Sequence, residues 1–173
     1  AAGLDVSAKA IRDTGLKVSG LCRGGMFPAA TEEGRRAADD DNRRAVDEAV
    51  ALDAECLVLV VGGLPEGSRD IEGARQMVED GIGRLLEHSR PAGMKLAIEP
   101  LHPMYAGDRS CVNTLGQALN LAGRLGPDVG TAIDAYHVWW DPEVARQIER
   151  AGRENRVFAY HICDWLVPTE HLL

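Results

Sequence analysis

Two carboxylates and an imidazole stand at equivalent places in three short apolar segments of this 173-residue chain. Glu99 closes LAIE, Asp134 closes VGTAID and His161 closes VFAYH. A second imidazole, His137, follows in the tetrapeptide D-A-Y-H that begins at Asp134. Oxygen donors from Glu and Asp, joined by a nitrogen donor from His, suit a divalent ion such as Mn²⁺, Co²⁺, Mg²⁺ or Zn²⁺. Separations of 35 and 27 residues are too long for one local loop. They make sense only if separate strands deliver the three groups to one place. A single carboxylate after a strand is ordinarily a turn residue or a helix cap, and a single His is ordinarily structural. Three in register at consecutive strand ends read differently, because a buried carboxylate pair needs a counter-charge.

The segments carrying these groups alternate with helical patterns. A short helical stretch around Val6–Ile11 precedes a strand at 17–22, which ends at an Arg23-Gly24-Gly25 turn. Asp41–Leu52 spaces Ala45, Val46, Ala49 and Val50 along one helical face. Leu57–Val61 is a continuous apolar run bounded by Gly62, Gly63 and Pro65, as expected of a strand covered on both faces. The alternation continues with a helix over Asp70–His88, a strand over Lys95–Ile98 and a helix over Val112–Leu125, capped by Asn113 or Thr114. A strand over Val129–Ile133, a helix over Pro142–Ala151 and a strand over Val157–Tyr160 follow. Five strands and five helices in repeated βα units make an α/β domain, either an open doubly wound sheet or a (β/α) barrel. In both, function gathers at the carboxyl ends of the strands. No linker or composition shift divides the chain, so one domain over 1–173 is expected.

Composition narrows the function classes. With 19 Lys and Arg against 27 Asp and Glu, the net charge is −8, which opposes a broad phosphate-gripping surface and speaks against nucleic acid as a partner. No run of eighteen apolar residues exists, so no membrane-spanning helix is expected. Cys22, Cys56, Cys111 and Cys163 form no CxxC pair, which removes zinc-ribbon and thioredoxin readings. Cys22 and Cys163 read as small buried residues. The start lacks the apolar core of a secretory signal, and a cytoplasmic location is the default. Gly81-x-Gly83 follows no strand and is no dinucleotide fingerprint.

The words LAIEPLHPM, GTAIDAYHVWWDP and FAYHICDW, in that order, resemble the xylose-isomerase-like TIM-barrel superfamily, in its sugar phosphate isomerase/epimerase branch. The resemblance covers nearly the whole chain, from the strand at 17–22 to Trp165. It implies a (β/α)8 TIM barrel present as an incomplete barrel, about strands two through six. Such a barrel typically takes about 250 residues, so the first strand is expected before Ala1 and the last two after Leu173. It also implies that Glu99, Asp134 and His161 are metal ligands, that Glu99 doubles as the acid/base, and that His137 contacts a substrate oxygen. Family members complete the site with a Glu on the eighth strand, which this chain does not contain.

The same resemblance suggests a divalent-metal-dependent isomerase or epimerase of a sugar or sugar phosphate. Its chemistry is proton transfer next to a carbonyl through a metal-stabilised enediolate. Two alternatives stay open: a metal-dependent dehydratase of the inosose or 3-dehydroshikimate type, and a catalytically incomplete fragment. The expected partner is a small sugar or polyol. Arg23 and His102 are candidate substrate contacts, and Trp139 a candidate wall for a sugar face. Tyr105 stands where the epimerases often carry a second Glu, and Val167 where they often carry an Arg. Gly62-Gly63 stands where the related endonucleases carry a His ligand, which disfavours a multi-zinc nuclease. Tyr160 or Asp164 is expected to fix the His161 ring. The Trp139-Trp140 pair and exposed barrel helices are compatible with a homodimer.

Overall fold

In the computed structural model, which describes residues 3–163, five parallel strands lie side by side in chain order. They are β1 (Leu21–Gly25), β2 (Cys56–Val60), β3 (Lys95–Ile98), β4 (Val129–Asp134) and β5 (Val157–His161). Helix α1 (Leu4–Thr14) precedes the sheet; α2 (Glu32–Ala51), α3 (Ile71–Ser89) and α4 (Leu115–Leu125) join successive strands. The last crossover holds two helices, α5 (Ala135–Val138) and α6 (Val144–Arg153). Parallel neighbours in unbroken order, each joined by a helical crossover, form an arc of a (β/α) barrel. The fold is therefore α/β and has the form of an incomplete TIM barrel.

The alternating direction of strand side chains explains the two apolar layers. Leu57, Leu59, Leu96 and Ile98 pack with Val46, Val78 and Ile82 from the helices. Cys56, Val58, Ala97 and Ala132 form a separate cluster of smaller side chains with Phe158 and Ala159. Every residue of β2 is buried, which is why that strand reads as an uninterrupted apolar run rather than an alternating one. No helix among the described residues is long and apolar enough to cross a membrane.

Local chemistry sets the helix starts. Thr31 accepts a hydrogen bond from the Gly34 amide at 3.1 Å, and Asp70 accepts one from the Gly73 amide at 2.8 Å. Thr114 caps α4 in a reciprocal box, accepting from the Gln117 amide at 3.2 Å while Gln117 Oε1 accepts from the Thr114 amide at 3.3 Å.

Several sequence expectations shift. Thr114, not Asn113, is the cap of α4, so Val112 and Asn113 lie before the helix. The first strand is 21–25 rather than 17–22, and Arg23-Gly24-Gly25 lies inside it instead of forming a turn. The reason is Asn42 on α2, which is buried: its side chain accepts from the Gly25 amide at 2.6 Å and donates to the Gly25 carbonyl at 2.7 Å. A Cβ on Gly25, at φ +120°, would come 1.9 Å from the Val60 carbonyl oxygen, so the glycine permits the strand to pair closely. Helix α2 starts nine residues before the expected Asp41, because its first turns are acidic and basic and show no apolar face. Helix α6 begins at Val144, two residues after the expected Pro142, and α5 has no counterpart in the expected five helices.

Candidate functional site

The three donors converge. Glu99 immediately follows β3, whereas Asp134 and His161 end adjacent strands and are register partners across β4 and β5. One ligand atom from each of Glu99, Asp134 and His161 lies within 4.8 Å of the others. His161 Nδ1 is 2.8 Å from Glu99 Oε1 and 3.7 Å from Asp134 Oδ2. The carboxylates are buried, at 6% and 8% exposure, while His161 is partly open.

Burial pushes the Glu99 carboxyl above its ordinary range, and the nearby Asp134 charge pushes the same way. The bond from His161 opposes that rise. Two buried carboxylates at one imidazole make a site short of positive charge, and the mixed O,O,N donor set matches what a divalent ion takes. The residues present therefore fit such an ion. Asp134 Oδ1 accepts from the Tyr136 amide at 2.8 Å and from Cys163 Sγ at 3.3 Å.

Beside this cluster lies a cavity of about 460 Å³ lined by Arg23, Met26, Val60, Glu99, Leu101, Arg109 and His137. All of these residues stand at or beyond the carboxyl ends of β1, β2, β3 and β4, except Arg23, which is within β1. His137 Nδ1 accepts a hydrogen bond from the His102 amide at 3.3 Å. Burial lowers the His137 pKa and so favours the neutral ring, and with Nδ1 accepting from the His102 amide, Nε2 is the nitrogen left to donate. The Tyr105 and Tyr136 rings meet His137 edge-on, with centroids 5.9 and 5.1 Å away, which fixes its plane.

Of the sequence candidates, the structure brings Glu99, Asp134 and His161 into one cluster and Glu99, Arg23 and His137 into one cavity. His102 and Trp139 are not among the cavity-lining residues; their rings stack on each other at 6.4 Å, with Trp139 59% exposed. Tyr160, expected against His161, is exposed instead, and Glu99 contacts the ring nitrogen in its place. Asp164 and Val167 lie outside the described residues. Cys22, within β1, and Cys163, past the end of β5, are exposed rather than buried.

Sequence reasoning missed Arg109. It stands ten residues past Glu99 in a polar loop, G-D-R-S, and the only signal was a cation in the connection that follows a ligand strand.

Comparison with known proteins agrees with this architecture. The profile of the xylose isomerase-like TIM barrel family matches residues 2–172. Protein SMc04130 from Sinorhizobium meliloti 1021 has a crystal structure with 62% identity and a TM-score of 0.96, over 99% of this chain and 62% of its own. The 3-keto-D-glucoside 4-epimerase YcjR from E. coli has 21% identity and a TM-score of 0.76, over 93% of this chain and 65% of its own. The IOLI protein, solved with a binding zinc atom, has 22% identity and a TM-score of 0.77, over 95% of this chain and 57% of its own. The chain thus spans less than two thirds of the length of each of these structures. The comparison with curated proteins returns no match. The parallel arc, its strand-end donors and the match over residues 2–172 lead to one assignment: the chain belongs to the xylose isomerase-like TIM barrel family.

Proposed function

We propose that the protein carrying this chain is a divalent-metal-dependent isomerase or epimerase acting on a sugar or sugar phosphate. The observation that carries the reading is the Glu99, Asp134 and His161 cluster, with its ligand atoms within 4.8 Å, opening on the cavity that Glu99 shares with His137. The epimerase YcjR and the zinc-bound IOLI protein, both similar in fold, support it.

Glu99, Asp134 and His161 would hold the ion, which when bound supplies Lewis-acid polarisation of a substrate carbonyl. Glu99 is the carboxylate that lines the cavity among the described residues, and it acts as the base toward the carbon next to that carbonyl. Removal of that proton leaves an enediolate on the substrate. Return of the proton to the neighbouring carbon isomerises the sugar; return from the opposite face, by a second acid, epimerises it. His137, neutral and donating from Nε2, orients the substrate oxygen.

The test is incubation of the full-length, metal-loaded protein with ketoses and ketose phosphates in deuterated water. Deuterium at the carbon next to the carbonyl of recovered sugar is the expected result. Loss of water with an enone chromophore would instead assign a dehydratase, and neither outcome with any sugar would overturn proton-transfer chemistry.

A further inference from the structure

We propose that Arg23 and Arg109 form an oxyanion-binding subsite in the Glu99 cavity, so that the sugar bound there carries a phosphate or carboxylate group. The inference rests on the proton-transfer reading above and specifies its substrate class.

Two arginines from elements 86 residues apart in sequence line one cavity of about 460 Å³ in a chain whose net charge is −8. Arg23 comes from β1 and makes no ion pair among the described residues. The carboxylate near Arg109 is that of Asp108, 4.0 Å from Nε, on exposed side chains. A contact of that length in water contributes little and leaves the terminal N–H groups of the guanidinium available. Planar guanidiniums match the oxygens of phosphate or carboxylate two at a time, whereas a neutral hydroxyl uses only one donor and no charge.

Arg109 is also held in place. Its guanidinium lies over the Tyr105 ring at 4.7 Å, the same ring that meets His137 edge-on. The Arg109 amide donates to the Tyr105 carbonyl at 3.0 Å, closing the loop on itself. The Gly62 amide donates to the Arg109 carbonyl at 2.9 Å, tying the loop to the end of β2. Gly63 lets the loop come this close: a Cβ there would lie 2.5 Å from the Asp108 amide nitrogen and 2.6 Å from the Gly107 carbonyl carbon. The charge pattern then orients the substrate. Its anionic group meets the two arginines, Arg23 and Arg109, and its carbonyl end meets Glu99 and the donor cluster.

The experiment compares full-length wild type with Arg23→Met, Arg109→Met and Arg109→Lys variants. Arg43→Met, an exposed position on α2, serves as the surface control. Calorimetric titration with inorganic phosphate and with acetate reads binding, and far-UV circular dichroism checks the fold of each variant. Deuterium incorporation into D-fructose, D-fructose 6-phosphate and 5-keto-D-gluconate reads chemistry. One anion is expected to bind wild type and Arg43→Met alike, and each Arg→Met variant about tenfold or more weakly, with Arg109→Lys between. Tighter phosphate binding with faster exchange of the phosphate ester assigns a sugar phosphate; the reverse assigns a sugar acid. Anion binding that is absent, or equal in all variants, overturns the subsite, and exchange of D-fructose would then leave the proton-transfer reading standing. Arginine-dependent anion binding without exchange of any ketose keeps the subsite and sinks that reading.

Discussion

Each end of the sheet holds a cavity, and the two differ in which elements line them. At the amino end, α1, residues 15–18 and residues 51–55 enclose about 580 Å³. At the carboxyl end the cavity is smaller, about 460 Å³. The larger one is lined by Ala8, Ile11, Leu16, Val18, Leu52 and Ala54 with a few charged side chains. The donor cluster found among the described residues belongs to the other end. Size therefore does not mark the site; convergence does. Residues that end or follow parallel strands in register come out on one rim, where the connections are free to carry polar groups. At the amino end the chain passes from helix to strand over a few residues, as between Ala51 and Cys56, and those residues serve packing and pairing.

Substitutions at the two ends should differ accordingly. The largest effect is expected for Glu99→Gln, which keeps size but removes both the proposed base and one charged oxygen of the donor cluster. Turnover in the full-length protein should fall by about 10²–10⁴-fold in a deuterium-exchange assay, and activity near wild type would remove Glu99 from that role. Next, Asp134→Asn should weaken Mn²⁺ or Zn²⁺ binding by more than about 100-fold, beyond the loss typical of outer partners. Calorimetry reads this directly, and an unchanged affinity would mean that the ion is held elsewhere. Chelation of wild type should lower Tm, and the variant should show no such drop.

Phe27→Ala comes third, at about 3–5 kcal/mol of stability in chemical denaturation. Phe27 is 1% exposed and packs so closely on α3 that a Cβ on Gly81 would lie 2.5 Å from its ring. Its amide continues the β1–β2 ladder past the strand end, bonding the Val61 carbonyl at 2.9 Å. A cost below about 1 kcal/mol would show that this rim is not braced from the core. The smallest effect belongs to the amino end: Lys17→Met should change turnover by less than about twofold, as for surface changes away from a site. A larger loss would undo the contrast between the two cavities.

Much of the architecture was legible from particular residues. Lys95–Ile98 is read correctly because LAI is apolar and Glu99-Pro100 ends it. Asp70–His88 is close to α3 because Ala74, Val78, Ile82 and Leu85 fall on one buried face. In the first strand Gly24 and Gly25 signal a turn locally, whereas the buried Asn42 makes extended pairing possible there. Such a partner, 17 residues away, leaves no local signal. The first half of helix α2 carries no apolar stripe to mark it, being held by the Thr31 cap and by charges.

The candidate site divides in the same way. Glu99, Asp134, His137 and His161 could be picked out because each closes or follows a recognisable strand. Arg109 could not, since loop residues carry no periodicity and its place depends on Gly63 and on bonds to the end of β2.

By itself, the sequence determined the order of strands and helices and the identities of the donors at the strand ends, because apolar runs and breakers act over a few residues. Only the tertiary structure decided that three donors 35 and 27 residues apart fall within 4.8 Å. It also decided that two arginines face the cavity beside them. Those distances are set by the lateral spacing and register of hydrogen-bonded strands and by the close packing of loops on their ends, which no local pattern encodes.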